Sequence, residues 1–548
     1  MLAKHGTLLL AAIFALLLAP VAILAAELDS EQQLIERRTV RISELPAPPD
    51  PPQVSAAVKH PIDRFIAGKW RTLSEPPRVG LCDDATFLRR AYLDLIGVIP
   101  TLKETNRFLA SKSTPAKRAA LVDELLARDA DYALHWTAFW EDALASQSVL
   151  EQGGVLTRGN YRQWLLDSFR ANKPYDVMVA ELIDPTMPGR QPERNKDVFG
   201  VDYTIGYVRN ETRPVTLGTA ANIGQVFLGT SMKCAACHDH FENKEWPQER
   251  FLAFAGLFAT EDLEKIRCDQ KSGQFIAAKF PFELPGATAA LPADPVERLH
   301  TAAQLITDPA NPRFAKTIVN RLWKRYFGLG LVEPVDDLRE DVPASHPELL
   351  DWLAHDFLAH GCDLKHTIRL ILSSSTYQLR YDPAQADLYD VANPGSPRYF
   401  RSPQLRRLTA EQVLDSVRLA ASGELRPEQR TLLDGRSTAL MRALGRPASR
   451  NEISTARPDD VAVVQSLELM NGGELQELLQ LASVPENLAR GDQRRLVDLA
   501  YRAVLSRSAS PEERNAGREF LTASRDIQAG YRDLLWALVC SPEFQYLQ

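Results

Sequence analysis

The sequence predicts a mainly α fold, with two helical domains joined by a short irregular or β-containing segment. Three observations carry this. Apolar residues recur at helical spacing from His60 to about Thr260, the pattern lapses between Ile266 and Pro292, and it returns over residues 294–548. At 548 residues the chain is also too long for one small core, which favours more than one domain.

The elements follow in chain order. Lys4 precedes an apolar run from Leu8 to Ala26, and Glu27, Asp29 and Glu31 then open a polar segment. Residues 1–26 therefore read as a signal peptide, or as a single membrane anchor if uncleaved; both place the body outside the cytoplasm, in the periplasm, at the cell surface or secreted. Residues 27–57 hold Pro46, Pro48, Pro49, Pro51 and Pro52 and read as a semi-extended linker. The first helical domain spans 58–260, with Phe87, Ala91 and Leu95 on one face, Leu121 with Leu125 and Leu134 with Ala138 on others, and Pro115 and Pro174 where helices begin. Residues 185–212, rich in Pro, Arg, Asn and Gly, read as a long surface loop.

Across the linker 261–293, Phe275, Ala277, Lys279 and Pro281 suggest a short strand or hairpin. The second helical domain spans 294–548. Gly328 and Gly330 follow Ile318, Leu322 and Tyr326 as a left-handed helix end requires, and Ser345-x-x-Glu348 predicts a capping box ahead of Leu349, Leu350, Leu353 and Phe357. Trp323, Trp352 and Trp536 read as core anchors.

Composition narrows the function classes. The 64 basic and 71 acidic residues are interspersed, so the net charge of −7 leaves no basic stripe and nucleic acid is excluded as a partner. With 45% hydrophobic and 25% charged residues the body reads as a globular protein, touching a membrane only through its N-terminal segment if that stays attached. Six cysteines are too few for a disulfide scaffold. Cys82, Cys268, Cys362 and Cys540 allow up to two bridges or buried free thiols.

Cys234-Ala235-Ala236-Cys237-His238 carries the chemistry. The pattern matches c-type haem attachment, in which two thiols add across the haem vinyl groups and the adjacent imidazole becomes the axial iron ligand. Two intervening residues let one helical turn present both sulfurs to one porphyrin edge. Leu217, Ala220, Ala221, Gly224, Phe227 and Leu228 make an apolar face leading up to it, so a helix is expected to deliver the motif. At this chain's composition the pattern arises by chance roughly once in a thousand such chains.

The residues leave other roles open. A divalent metal ion would accept Cys234, Cys237, His238 and His240 as ligand types, although four ligands within seven residues are cramped; His240, with Asp239, is also a candidate for a second cation site. A redox dithiol or structural disulfide is the remaining alternative, without the βαβ context of a thioredoxin. Met178, Met187, Met470 and His135 are chemically suitable distal haem ligands, and nothing in the sequence selects among them. Ser345, His346 and Glu348 hint at hydrolytic chemistry, as do Asp336 and Asp337, but a helix cap and a solvated loop explain them.

The chain resembles the exported planctomycete cytochrome-associated proteins that pair domains of unknown function 1549 and 1553. The likeness lies in Phe87-Leu88-Arg89-Arg90, Leu93-Asp94-Leu95-Ile96-Gly97, Lys173-Pro174-Tyr175-Asp176 and Phe227-Leu228-Gly229 ahead of Cys234 to His240. It continues in Asn320-Arg321-x-Trp323, Phe327-Gly328-x-Gly330-Leu331-Val332, Asp336-Asp337, His346-Pro347-Glu348-Leu349-Leu350-Asp351 and Ser541-x-Glu543-Phe544. The resemblance implies export, a mainly helical body and a Cys-x-x-Cys-His-x-His site, without a settled activity. Redox or cell-surface proteins are the partners it suggests. Relatives commonly carry Lys-x-Asp-Pro after the second histidine, where this chain has Phe241-Glu242-Asn243-Lys244. The expected function is thus redox or electron transfer through haem c. The alternatives are a cell-surface structural or binding protein with a metal or disulfide at the cluster, and, third, a polysaccharide-acting hydrolase.

Overall fold

The computed structural model describes residues 32, 35–73, 79–149, 155–157, 161–184, 215–267, 270–285, 291–433, 437–450, 452–457, 463–489 and 492–548. It is 56% helical and 4% strand, a mainly α protein. The described strands form three two-stranded antiparallel ladders: 147–149 with 155–157, 263–267 with 270–276, and 406–407 with 546–547. The N-terminal apolar run and the loop at 185–212 lie outside the described residues, as does Cys268. Among the described residues no helix is long and apolar enough to cross a membrane.

Local chemistry sets the helix ends. Thr101 and Glu104 form a reciprocal cap on Leu102–Ala110, Pro115 opens Pro115–Leu126, and Pro174 precedes Tyr175–Ile183. Helix Phe314–Phe327 closes on Gly328 at φ +84°. The lapse after residue 260 is a hairpin, Leu263–Arg267 against Gln270–Ile276.

One cap differs from expectation. Helix Pro347–Ala359 starts one residue later than the capping box requires, with His346 at the N-cap and no side-chain cap. The Ser345 N–H donates to the Leu331 carbonyl (2.7 Å), its carbonyl accepts from Lys69 Nζ, and its hydroxyl lies 3.2 Å from His346 Nδ1.

The two helical regions share one contiguous core, running from Ile62 to Leu547. Tyr175 sits at its junction: its ring lies 5.6 Å from Trp140 and 6.5 Å from Phe227 on one side, and 5.4 Å from Phe314 and 6.2 Å from Phe357 on the other. Trp323 is fully buried, while Trp352 and Trp536 pack against the core from its edge. Polar ties are as long-ranged. Buried Arg89 donates to the Val504 and Phe544 carbonyls, 415 and 455 residues away. Asp94 accepts both arms of Arg406 at 2.7 Å and the Tyr377 hydroxyl at 2.8 Å.

The segment expected to be a spacer is instead fastened to the body. Residues 35–43 are helical, and Arg38 donates to both oxygens of buried Asp176 at 2.8 and 2.7 Å. Arg41 reaches Asp308 at 3.1 Å, and Arg64 holds the Pro52 carbonyl at 3.1 Å. The helix lies ahead of the prolines, whose own stretch, 46–52, stays non-helical; ion pairs from the helix to buried carboxylates are what fasten the segment.

Candidate functional site

Helix Val215–Leu228 delivers the Cys-x-x-Cys-His motif, burying Ala220, Ala221, Ile223, Val226, Phe227 and Leu228. It stops short of the cysteines. Gly229 takes φ +54°, and its carbonyl accepts the Leu338 N–H at 2.7 Å; a side chain there would press on Leu338 and Thr317. The cysteines follow on a 3₁₀ turn, Lys233–Ala236, and not on the α-helical turn expected.

That turn sorts the motif into anchor and display. Ala235 is fully buried beside buried Met232, while Cys234, Cys237 and His238 are exposed, with both cysteines as free thiols. His238 Nδ1 lies 2.7 Å from the Asp239 carbonyl and donates to it, so in the neutral imidazole Nε2 is the nitrogen with the lone pair. The ring packs on Phe241 at 4.3 Å, and Phe241 is itself 72% exposed, an aromatic displayed beside the thiols.

The residues after His238 are structural. Asp239 Oδ1 accepts the Gln248 N–H at 2.8 Å, capping helix Gln248–Ala255, and Gln248 Nε2 returns to the Ala236 carbonyl at 3.2 Å. His240 is buried, and its Nδ1 accepts the N–H of Asn243 (2.9 Å) and Glu242 (3.3 Å). A neutral His240 therefore keeps its proton on Nε2. Asp337 of the second region faces this turn. Burial pushes its carboxyl above the usual carboxylate range, against the lowering effect of the Ser231 N–H, Arg339, His240 and Asn243. Glu245 adds a second clasp, bonding Arg313 at 3.1 Å and the Glu340 N–H at 2.7 Å.

Of the acid pair expected in a solvated loop, Asp336 is buried and Asp337 is half-buried. Asp336 pairs with Arg321 at 2.7 Å, and Arg321 also donates to the Val226 carbonyl at 2.9 Å, so this pair braces the helix leading to the cysteines. Among the described residues, one group of three His, Cys, Asp or Glu side chains brings its ligand atoms within 4.8 Å of one another: Asp356, His360 and His366, away from the cysteine motif in sequence. Of the candidate distal ligands, Met178 is buried, Met470 is exposed, Met187 lies outside the described residues, and His135 is buried with its Nε2 accepting from Arg325 at 2.7 Å. Sequence reasoning missed the clasp of Asp337 and Glu245 on the motif loop, whose partners lie about a hundred residues apart.

Comparison with known proteins gives two matches. A model of the family described as PSCyt2, protein of unknown function DUF1549, matches residues 61–262, and one of PSD1, protein of unknown function DUF1553, matches residues 298–438. No curated protein and no solved structure matches the chain. The first match contains Cys234 to His240 and the second contains the Asp337 that faces them. The chain therefore belongs to the proteins in which a DUF1549 region is followed by a DUF1553 region.

Proposed function

We propose that Cys234, Cys237 and His238 attach a c-type haem and that this exported protein transfers electrons through it, with redox or cell-surface proteins as partners. One observation carries the reading. Two free thiols and an imidazole whose Nδ1 faces the Asp239 carbonyl are displayed on one exposed surface turn, held from behind by buried Ala235 and Met232. Haem, when bound, supplies a one-electron couple. The chain supplies the thioether sulfurs, the axial nitrogen and its orientation by the Asp239 carbonyl. Exposed Phe241 offers apolar cover beside His238.

A divalent ion held by all four Cys and His side chains has less support. His240 Nδ1 is occupied by two backbone N–H groups, and coordination through Nε2 would require that nitrogen to lose its proton while Nδ1 has only donors around it. A hydrolytic centre has less still: Asp336 is consumed by Arg321, and Ser345 and His346 are adjacent core residues.

The test is a haem-stained denaturing gel with an absorption spectrum, on protein exported from a host with c-type maturation machinery, beside Cys234→Ala/Cys237→Ala. Covalent stain that disappears in the variant is the expected result. Colourless protein, correctly exported and folded, would sink the assignment.

A further inference from the structure

A cavity of about 200 Å³ opens where helices Asp129–Ala143, Phe314–Phe327 and Ala410–Ser422 converge, between the two regions of the chain. Arginines dominate its wall, and most have carboxylate partners. Arg406 holds Asp94, Arg457 spans Asp142 (2.7 Å) and Glu411 (2.6 Å), and Arg321 holds Asp336.

Arg325 differs. Among the described residues it has no carboxylate partner: its Nη2 donates to His135 Nε2 at 2.7 Å, and its guanidinium lies 4.9 and 5.1 Å from the ring centres of Trp136 and Phe139. The carboxylate whose field reaches it, Asp94, is engaged by both arms of Arg406 and by the Tyr377 hydroxyl. His135 offers no compensating charge, since burial and the charges of Arg325 and Arg430 keep it neutral. Gly97, at φ +72°, lets that imidazole approach so closely that any side chain there would overlap it. A rigid aromatic and imidazole frame thus orients a guanidinium that, among the described residues, no carboxylate contacts.

Arg325 is half-buried, and a charge partly withdrawn from water is ordinarily paired, because an uncompensated one is costly. A planar guanidinium beside open volume matches the two oxygens of a carboxylate, sulfate or phosphate. We propose that this cavity binds the oxyanion group of a small molecule, with Arg325 as its principal ligand and His135 as the residue that positions Arg325. The volume suits one small acid group.

Isothermal titration of the full chain with sodium acetate, sulfate and phosphate, each at ionic strength matched with chloride, tests this in wild type, Arg325→Gln and Arg325→Lys. The expected result is saturable binding of at least one oxyanion, weakened about 10- to 100-fold in Arg325→Gln. Arg325→Lys, which keeps the charge without the fork, should fall between them and decides the matter if the glutamine variant does not fold. Preference for acetate assigns carboxylic acids as the ligand class, and preference for sulfate or phosphate assigns tetrahedral esters. Absence of saturable heat with all three, or binding undiminished in both variants, overturns the proposal.

Discussion

Glu411 offers the sharpest test of how the two regions are joined. It is 6% exposed and receives Arg457 at 2.6 and 3.1 Å and Arg450 at 3.2 Å, with Arg446 at 3.6 Å. Arg450 and Arg457 also hold Asp142 at 2.5 and 2.7 Å, so one cluster ties helix Asp129–Ala143 to helix Ala410–Ser422. Burial alone would raise the Glu411 carboxyl; Arg457, then Arg450 and Arg446, overcome it and hold the group far below its usual range. Glu411→Gln keeps the shape and deletes the charge. Breaking one member of a buried ion cluster costs about 3–5 kcal/mol, since the guanidiniums left behind remain desolvated. With an unfolding entropy near 2.1 cal/mol/K per residue, roughly 500 ordered residues give about 1 kcal/mol/K, so the melting temperature should fall by about 3–5 °C.

The pH dependence carries the same sign. A depressed folded pKa gives stability that is full above the unfolded value near 4.5 and is lost as pH falls below it, so wild type should lose its advantage over the variant on acidification. Calorimetry with urea titration at pH 7 and at pH 4 and below checks both. A variant within about 1 kcal/mol of wild type at pH 7 would refute the view that this cluster joins the regions.

Three further outcomes follow from the structure. Gly97→Ala, at φ +72° against His135, should destabilise by more than Gly423→Ala, at φ +79° with open space around it; the open site should cost only the left-handed backbone term of about 1 kcal/mol, and paired thermal melts read the difference. In protein without haem, iodoacetamide at pH 8 should label the exposed Cys234 and Cys237 by mass spectrometry and spare Cys362, whose thiol is buried and pushed well up by burial and by Asp176. Burial, with Lys69 and Arg398 nearby, pushes His346 down to about 3, so its contribution is present above the unfolded value near 6.5 and is lost as pH falls toward 3. At about 1.4 kcal/mol per pH unit, wild type should lose about 2 kcal/mol more than His346→Gln between pH 6.5 and 5, measured as urea midpoints.

What the sequence could reveal tracks the range of the interaction. Pro115, Pro174 and Gly328 act on their own backbone, and the helices begin and end where they stand. The hairpin after residue 260 was readable because its pairing is local. Ser345 and Glu348 have the spacing of a cap, yet the helix takes His346 as its N-cap, with the Ser345 backbone held by the Leu331 carbonyl and by Lys69. The proline-rich segment looked like a tether because Arg38 meets Asp176 only after 138 residues. At the motif, residue types and order were legible, whereas the 3₁₀ turn depends on Gly229 meeting Leu338. The commitment of His240 Nδ1 depends on a local turn that spacing alone does not specify.

The bonds from Arg89 to Val504 and Phe544 also bear on how the chain can be made. At a synthesis rate of about 5–20 residues per second, the 455 residues separating Arg89 from Phe544 take roughly 20–90 s to emerge. Throughout that interval Arg89 lacks the two carbonyls it bonds in the folded chain, so this part of the core closes only after the C-terminal helices have been made.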